Sequence, residues 1–285
     1  MPHVSTAAHR AAVLGSPIGH SLSPVLHGAA YTALGLSGWS YEAVELDESS
    51  FPAWFAGLGP QWSGLSLTMP LKRVVIPWLS SVTPLAAAVG AVNTVTWTPS
   101  DGGERRPLGH NTDVYGIVQA LRSTGLSSAA VGCVVGAGAT AASAVAALAE
   151  LGCSSVLVQA RSALRAGPVL EVAAKLGVAA RVSELTSFED VVAADAVIVT
   201  LPGEAASSWA AGLTLTAPPR GSMLDVSYHP WPTDAASRWS GAGGAAVGGF
   251  EMLLYQAAEQ VRLMTGLDAP LDDMRAAGEK ALAER

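Results

Sequence analysis

The sequence predicts an α/β protein made of a doubly wound parallel sheet and a second, separate α/β domain. Three observations predict it. Residues 131–149 read as a buried strand, a glycine turn and a helix without a charged side chain. From there on, strand-like segments at 131–135, 155–160, 178–182, 195–200, 222–226 and 245–247 alternate with helical ones. That alternation implies parallel strands joined by right-handed crossovers. Residues 1–112 are strand-rich at a different spacing, so they form another domain. The expected division is 1–112 with 249–285 as one domain and 113–248 as the other.

Taken in order, residues 11–15 read as a first strand and 16–23 as a loop. A helix follows over 24–34, with Ser23 as its N-cap and Pro24 at the first helical position. Segments 39–46 and 63–67 read as strands, with a short helix over 51–58 between them. Residues 68–72 read as a turn, because Pro70 biases Met69 away from helical backbone. Segments 91–97 and 106–110 bracket a Gly-containing stretch and predict a hairpin. Asn111-Thr-Asp113 opens a helix to about residue 121. Phe250, Leu253, Leu254, Ala257, Val261 and Met264 recur at helical spacing, and Gly266 stops that helix. A last helix covers 271–282.

The turn after the strand at 131–135 is Gly136-x-Gly138-x-x-Ala141, with Ala139 opening the helix. This is the dinucleotide-binding spacing of a Rossmann-type domain. Gly136 permits the tight turn, Gly138 admits a pyrophosphate, and Ala141 lets the helix lie close to the strand. The helix N-terminus offers unpaired N–H groups to phosphate. The next strand ends in Arg161-Ser162, with Arg165 beyond. A carboxylate there suits NAD; arginines suit the 2′-phosphate of NADP.

Composition narrows the partners. Only 14% of the 285 residues are charged and 50% are hydrophobic, against about 25% charged in an ordinary domain. Low charge with many alanines predicts close packing and is compatible with a homodimer. A net charge of −7 argues against a nucleic-acid partner. The uncharged stretch 129–149 is mostly Ala, Gly and Ser, interrupted by three glycines, so a membrane helix is not expected. Cys133 and Cys153 cannot build a disulfide framework; Cys133 reads as a small core residue. Residues 1–10 show no apolar signal region. A cytoplasmic protein with no metal site is expected.

Among polar residues, Lys72 and Asp113 are candidates for stabilising an alkoxide formed by hydride addition to a ketone. From the residues alone, Lys72 is ordinarily read as a surface lysine and Asp113 as the N-cap of the following helix.

A longer pattern bears on those alternatives. Gly15-Ser-Pro-Ile-Gly-His-Ser-Leu-Ser-Pro-Val-Leu-His27 resembles the opening signature of the shikimate dehydrogenase family. The resemblance continues in order through Leu67-Thr-Met-Pro-Leu-Lys72, Gly90-Ala-Val-Asn-Thr94, Gly109-His-Asn-Thr-Asp113 and Gly136-Ala-Gly138. It ends with Asp225-Val-Ser-Tyr-His-Pro230, Thr233 and Met252-Leu-Leu-Tyr-Gln-Ala257. It implies NADPH-linked reduction of 3-dehydroshikimate to shikimate, by a substrate-binding domain and a nucleotide domain. It implies that Lys72 and Asp113 are catalytic. Ser21 and Ser23 would hold the substrate carboxylate, and Thr68 and Asn93 the ring hydroxyls. Gln256 would reach the substrate, and Tyr228 would close the site. Thr200 and Gly249 join the glycine turn, Arg161, Ser162 and Arg165 as cofactor residues.

The chain departs from the family pattern at Ala160, where asparagine is usual, at Ser162, where threonine is usual, at Val199-Thr-Leu-Pro202, and at Glu251, where glycine is common. A quinate or broader polyol-acid dehydrogenase on the same scaffold is the alternative, and a non-enzymatic sensor of such acids a more distant one.

Overall fold

The structure, a computed structural model, describes residues 9–99 and 105–285. The tip of the expected hairpin and most of the expected signal-free N-terminus lie outside these residues. The chain divides into two compact units, Met1–Thr112 with Ala257–Arg285, and Asp113–Gln256.

The first unit is built on β1 (His9–Gly15), α1 (Ser23–Ala33), β2 (Trp39–Glu45), α2 (Phe51–Ala56) and β3 (Trp62–Leu67). It continues with α3 (Leu71–Val74), β4 (Ser81–Val82), α4 (Pro84–Val89), β5 (Thr94–Pro99) and β6 (Arg105–His110). Its sheet is mixed, in the order β2-β1-β3-β5-β6-β4. β1 runs parallel to β2 and β3, while β5 is antiparallel to β3 and β6. The β5–β6 pairing is the expected hairpin. Leu14, Phe51, Trp62, Leu65, Leu71 and Val95 form the core beneath the sheet.

Three local readings are corrected. Ser23 is the first residue of α1, not its cap; Leu22 takes the cap position without a side-chain bond. Ser23 N–H instead donates to Ser21 Oγ at 3.3 Å, so the hydroxyl two residues earlier does the work assigned to Ser23. Lys72 lies in the one-turn helix α3, not in a turn; Pro70 delays the helix to Leu71 and does not forbid it. Helix α4 was missed, although Thr83 before Pro84 is a readable start. Thr83 Oγ1 accepts Ala86 N–H at 3.4 Å.

The second unit contains α5 (Asp113–Ser123), β7 (Val131–Val135), α6 (Ala139–Glu150), β8 (Ser155–Gln159), α7 (Ala163–Lys175) and β9 (Ala179–Ser183). Then come α8 (Phe188–Ala193), β10 (Ala196–Val199), α9 (Gly203–Gly212), β11 (Ser222–Asp225), α10 (Asp234–Gly241) and β12 (Ala245–Gly248). α11 (Gly249–Thr265) runs through the division, and α12 (Leu271–Ala283) packs on α1 in the first unit. All strand pairs of the second sheet are parallel, in the order β12-β11-β10-β7-β8-β9. Strand order reverses between β7 and β10, the place where such sheets open a crevice at the strand carboxyl ends.

Alternating strands bury Cys133, Val135, Val197, Val199 and Met223 against Trp209 and Trp239. Both cysteines are buried, and burial pushes each thiol up to about 12. Among the described residues no helix is long and apolar enough to cross a membrane.

Trp239 is fully buried and its indole N–H donates to the Gly221 carbonyl at 3.2 Å. Trp239→Ala therefore empties the largest buried side chain of this unit. It should cost about 3–5 kcal/mol, measured as the shift in the urea unfolding midpoint. A loss under about 1 kcal/mol would mean that the site collapses around the missing ring.

Candidate active site

In the first unit, main-chain bonds bring four segments together at the carboxyl ends of β1 and β3. Thr68 N–H donates to the Leu14 carbonyl at 2.9 Å, and Ser16 N–H to the Met69 carbonyl at 3.0 Å. Leu67 N–H donates to the Asn93 carbonyl at 2.7 Å, and Val92 N–H to the Lys72 carbonyl at 2.8 Å. Ser21, Ser23, Thr68, Lys72 and Asn93 thus lie on segments that share one end of one sheet. Ser23 and Asn93 are buried, while Ser21, Thr68 and Lys72 are half-buried.

Asn93 is the most constrained of them. Its Oδ1 accepts Thr112 N–H at 2.7 Å and the Thr94 hydroxyl at 2.9 Å; its Nδ2 donates to Thr112 Oγ1 at 2.9 Å. A carboxamide with its oxygen taken twice has its orientation set.

His27 lies below Ser23, with no exposed surface. Its Nδ1–H donates to the Ser23 carbonyl at 3.0 Å, and its ring stacks on Tyr41 with centroids 3.8 Å apart. Nε2 has no hydrogen-bond partner among the described residues. Burial lowers its pKa to about 4, against the raising effect of the Ser23 bond.

In the second unit, Asp113 is the first residue of α5 and is buried. Gly116, one turn on, is where α11 comes close. A Cβ on Gly116 would stand 2.5 Å from the Met252 carbonyl oxygen and 3.0 Å from Gln256 Cβ. Only glycine admits α11 at this depth, and the contact holds Gln256 beside the start of α5.

Tyr228 lies in the loop after β11. Fully buried Asp225 shapes that loop by accepting Ser227 N–H at 3.0 Å and the Thr233 hydroxyl at 2.7 Å. Gly249 begins α11, and a Cβ there would run into the Val226 carbonyl.

The remaining expected cofactor residues follow strands β7, β8 and β10 of the same parallel sheet. Gly136 has φ +116°, a region open to glycine, and an added Cβ would strike Thr200 Oγ1. Thr200 is held in turn by its hydroxyl donating to the Val135 carbonyl at 3.0 Å. Among the described residues nothing lies within 4 Å of where a Gly138 Cβ would stand, and no side chain caps α6. Ala139 is exposed at the helix start and Ala141 is buried against the sheet. Arg161 and Arg165 are exposed after β8 and make no ion pair among the described residues; Ser162 caps no helix N–H through its side chain. Open helix N–H groups with two unpaired guanidiniums fit a nucleotide that carries an extra phosphate.

Two residues of this region escaped the sequence reading. Gln260 is buried beside Asn93, its Nε2 donating to Thr94 Oγ1 at 3.0 Å; a lone polar residue on an apolar helix face was the available signal. Tyr41 reaches the same region from β2 and carried no signal, since tyrosine is ordinary in a strand.

Residues 13–95 match the description "Shikimate dehydrogenase substrate binding domain", and residues 249–277 match "Shikimate 5'-dehydrogenase C-terminal domain". The chain is 35% identical to the NADP(+) shikimate dehydrogenase of Oleidesulfovibrio alaskensis over 278 residues, 95% of each chain. The chain belongs to the shikimate dehydrogenase family. The crystal structure of a shikimate 5-dehydrogenase from Mycobacterium fortuitum superposes with a TM-score of 0.84 at 40% identity, covering 94% of this chain and 97% of that one. The Thermus thermophilus shikimate 5-dehydrogenase in complex with NADP(H) and shikimate superposes at 0.78 with 30% identity, covering 96% of this chain and all 100% of that one.

The His27 site carries its own pH signature. Unfolded histidine titrates near 6.5, and folded His27 near 4. Between those values the unfolded chain binds a proton that the fold refuses, so stability is lost as pH falls from about 6.5 to about 4. The loss should reach on the order of 2–3 kcal/mol at the acid end. His27→Phe, which keeps a ring on Tyr41, should flatten that pH dependence in urea titrations. An unchanged slope would assign it to other groups.

Proposed function

We propose that the chain catalyses 3-dehydroshikimate + NADPH + H⁺ to shikimate + NADP⁺, reversibly. The first unit would bind substrate and the second the nucleotide. The observation that carries the reading is the open Gly136–Gly138 turn and unpaired Arg161 and Arg165 in a chain that also places Ser21, Ser23, Thr68, Lys72 and Asn93 at one sheet end. NADPH supplies hydride to the substrate carbonyl carbon. Lys72 stabilises the negative charge that develops on the carbonyl oxygen and provides its proton. Asp113 is the second catalytic side chain and accepts from a ring hydroxyl. Ser21 and Ser23 donate to the substrate carboxylate, Thr68, Asn93 and Gln256 bind ring hydroxyls, and Tyr228 closes over the ring. Arg161, Arg165 and Ser162 take the 2′-phosphate, and the turn at Gly136, Gly138, Ala139 and Ala141, with Thr200 and Gly249 nearby, frames the rest of the nucleotide. An NADPH-driven reduction suits the cytoplasm, and a chain only 14% charged is compatible with a homodimer.

The test is steady-state kinetics at the nicotinamide absorbance band, with shikimate and quinate, each with NADP and NAD. Shikimate with NADP should give the highest kcat/KM; a higher value with quinate would reassign the substrate. Lys72→Ala should lower kcat by roughly 10²–10⁴-fold with a modest change in substrate KM. Retention of more than about a third of kcat, well short of the general acid–base range, would move Lys72 to a binding role.

Cofactor choice is checked separately. Arg161→Ala should raise KM for NADP by roughly tenfold, the loss of one charged hydrogen bond, and leave KM for NAD nearly unchanged. Equal effects on both cofactors would remove Arg161 from phosphate recognition.

A further inference from the structure

A chain of buried hydrogen bonds in the first unit runs in a single donor direction from β2 to Asn93. The Tyr41 hydroxyl donates to Ser66 Oγ at 2.7 Å, and the Ser66 hydroxyl donates to Gln260 Oε1 at 2.9 Å. Gln260 Nε2 donates to Thr94 Oγ1 at 3.0 Å and to the Asn93 carbonyl at 3.5 Å. The Thr94 hydroxyl then donates to Asn93 Oδ1 at 2.9 Å. Ser66, Asn93, Thr94 and Gln260 are all buried. Each member has its donor and acceptor assigned by its neighbour, so removing one hydroxyl or amide takes one constraint from the next group.

The chain ends on one side chain of the candidate site, Asn93. A cheaper core would have been apolar at these positions, since a buried polar chain contributes little net stability. What it does supply is orientation. With Oδ1 of Asn93 held by Thr94 and Thr112, the amide nitrogen is the end that turns away from the chain, as a donor.

We propose that Tyr41 and Gln260 are positioning residues for substrate binding, which hold the Asn93 carboxamide in the orientation that receives a ring hydroxyl. The inference rests on the shikimate reading and adds to it two residues that touch no reacting atom.

The experiment uses the full chain and three variants, Tyr41→Phe, Gln260→Met and the double variant. Phenylalanine keeps the ring on His27, and methionine keeps the length and packing of glutamine. Shikimate oxidation with NADP is measured alongside direct calorimetric titration of shikimate and thermal melting. Each single variant should raise KM and Kd for shikimate roughly 5- to 50-fold, the effect of misdirecting one or two bonds to a charged ligand. kcat and KM for NADP should stay within about twofold of the unmodified chain. The double variant should be little worse than either single one, because both cut the same chain. A merely structural role would lower the melting temperature and active fraction without splitting KM from kcat. Folded variants with shikimate KM within about twofold of the unmodified chain would overturn the positioning inference alone. An unmodified chain that neither binds nor oxidises shikimate would overturn the functional reading and this inference with it. Should Gln260→Met not fold, Tyr41→Phe decides the question.

Discussion

One buried carboxamide organises the working end of the first unit. Asn93 receives Leu67 N–H on its carbonyl and sends its own N–H to the His110 carbonyl at 3.0 Å. Its side chain takes Thr112 N–H at 2.7 Å. Through one residue the end of β3, the end of β6 and the segment leading out of the unit are fixed to each other. No apolar residue of similar size offers an acceptor and a donor at once. The position therefore serves architecture first, and any role toward a ligand is built on a group that the fold already holds still.

The second unit reaches order by a different route. Its strands are all parallel and the four central ones are buried on both faces, so their carboxyl ends and the following helix starts face one edge. Steric admission does there what hydrogen bonds do in the first unit. Gly136 exists in its conformation because it carries no Cβ, and Thr200 occupies the space that a Cβ would need. Gly116 admits α11 against α5 by the same means.

These two routes differ in how plainly they are written in the chain. Glycine turns, long amphipathic helices and alternating strands have periods and punctuation, so the parallel sheet and α11 could be read before any coordinates. The hairpin and the start of α5 could be read for the same reason. Short elements could not: α3 and β4 are too brief to show a period. Hydrogen-bond partners far apart in sequence leave no period at all. Ser66 and Gln260 are separated by 194 positions, and nothing local announces that they pair. The capping of α1 was misassigned because Ser23 followed by proline satisfies the start pattern, and geometry alone puts Leu22 at the cap and Ser23 inside the helix. Of the candidate site, then, residues carried by a continuous motif were legible, and those that hold them from behind were not.

The two cysteines lend this architecture a use of another kind. Cys133 and Cys153 belong to the same unit, and both thiols are buried and pushed up to about 12. At neutral pH almost none of either is thiolate, the form that reacts with alkylating reagents and oxidants. Alkylation then waits for the unit to open, and its rate becomes a stopwatch for that opening. The first unit is silent in the same reaction, since it holds neither cysteine. A single chemical label can thus time the breathing of one half of the molecule while the other goes unseen.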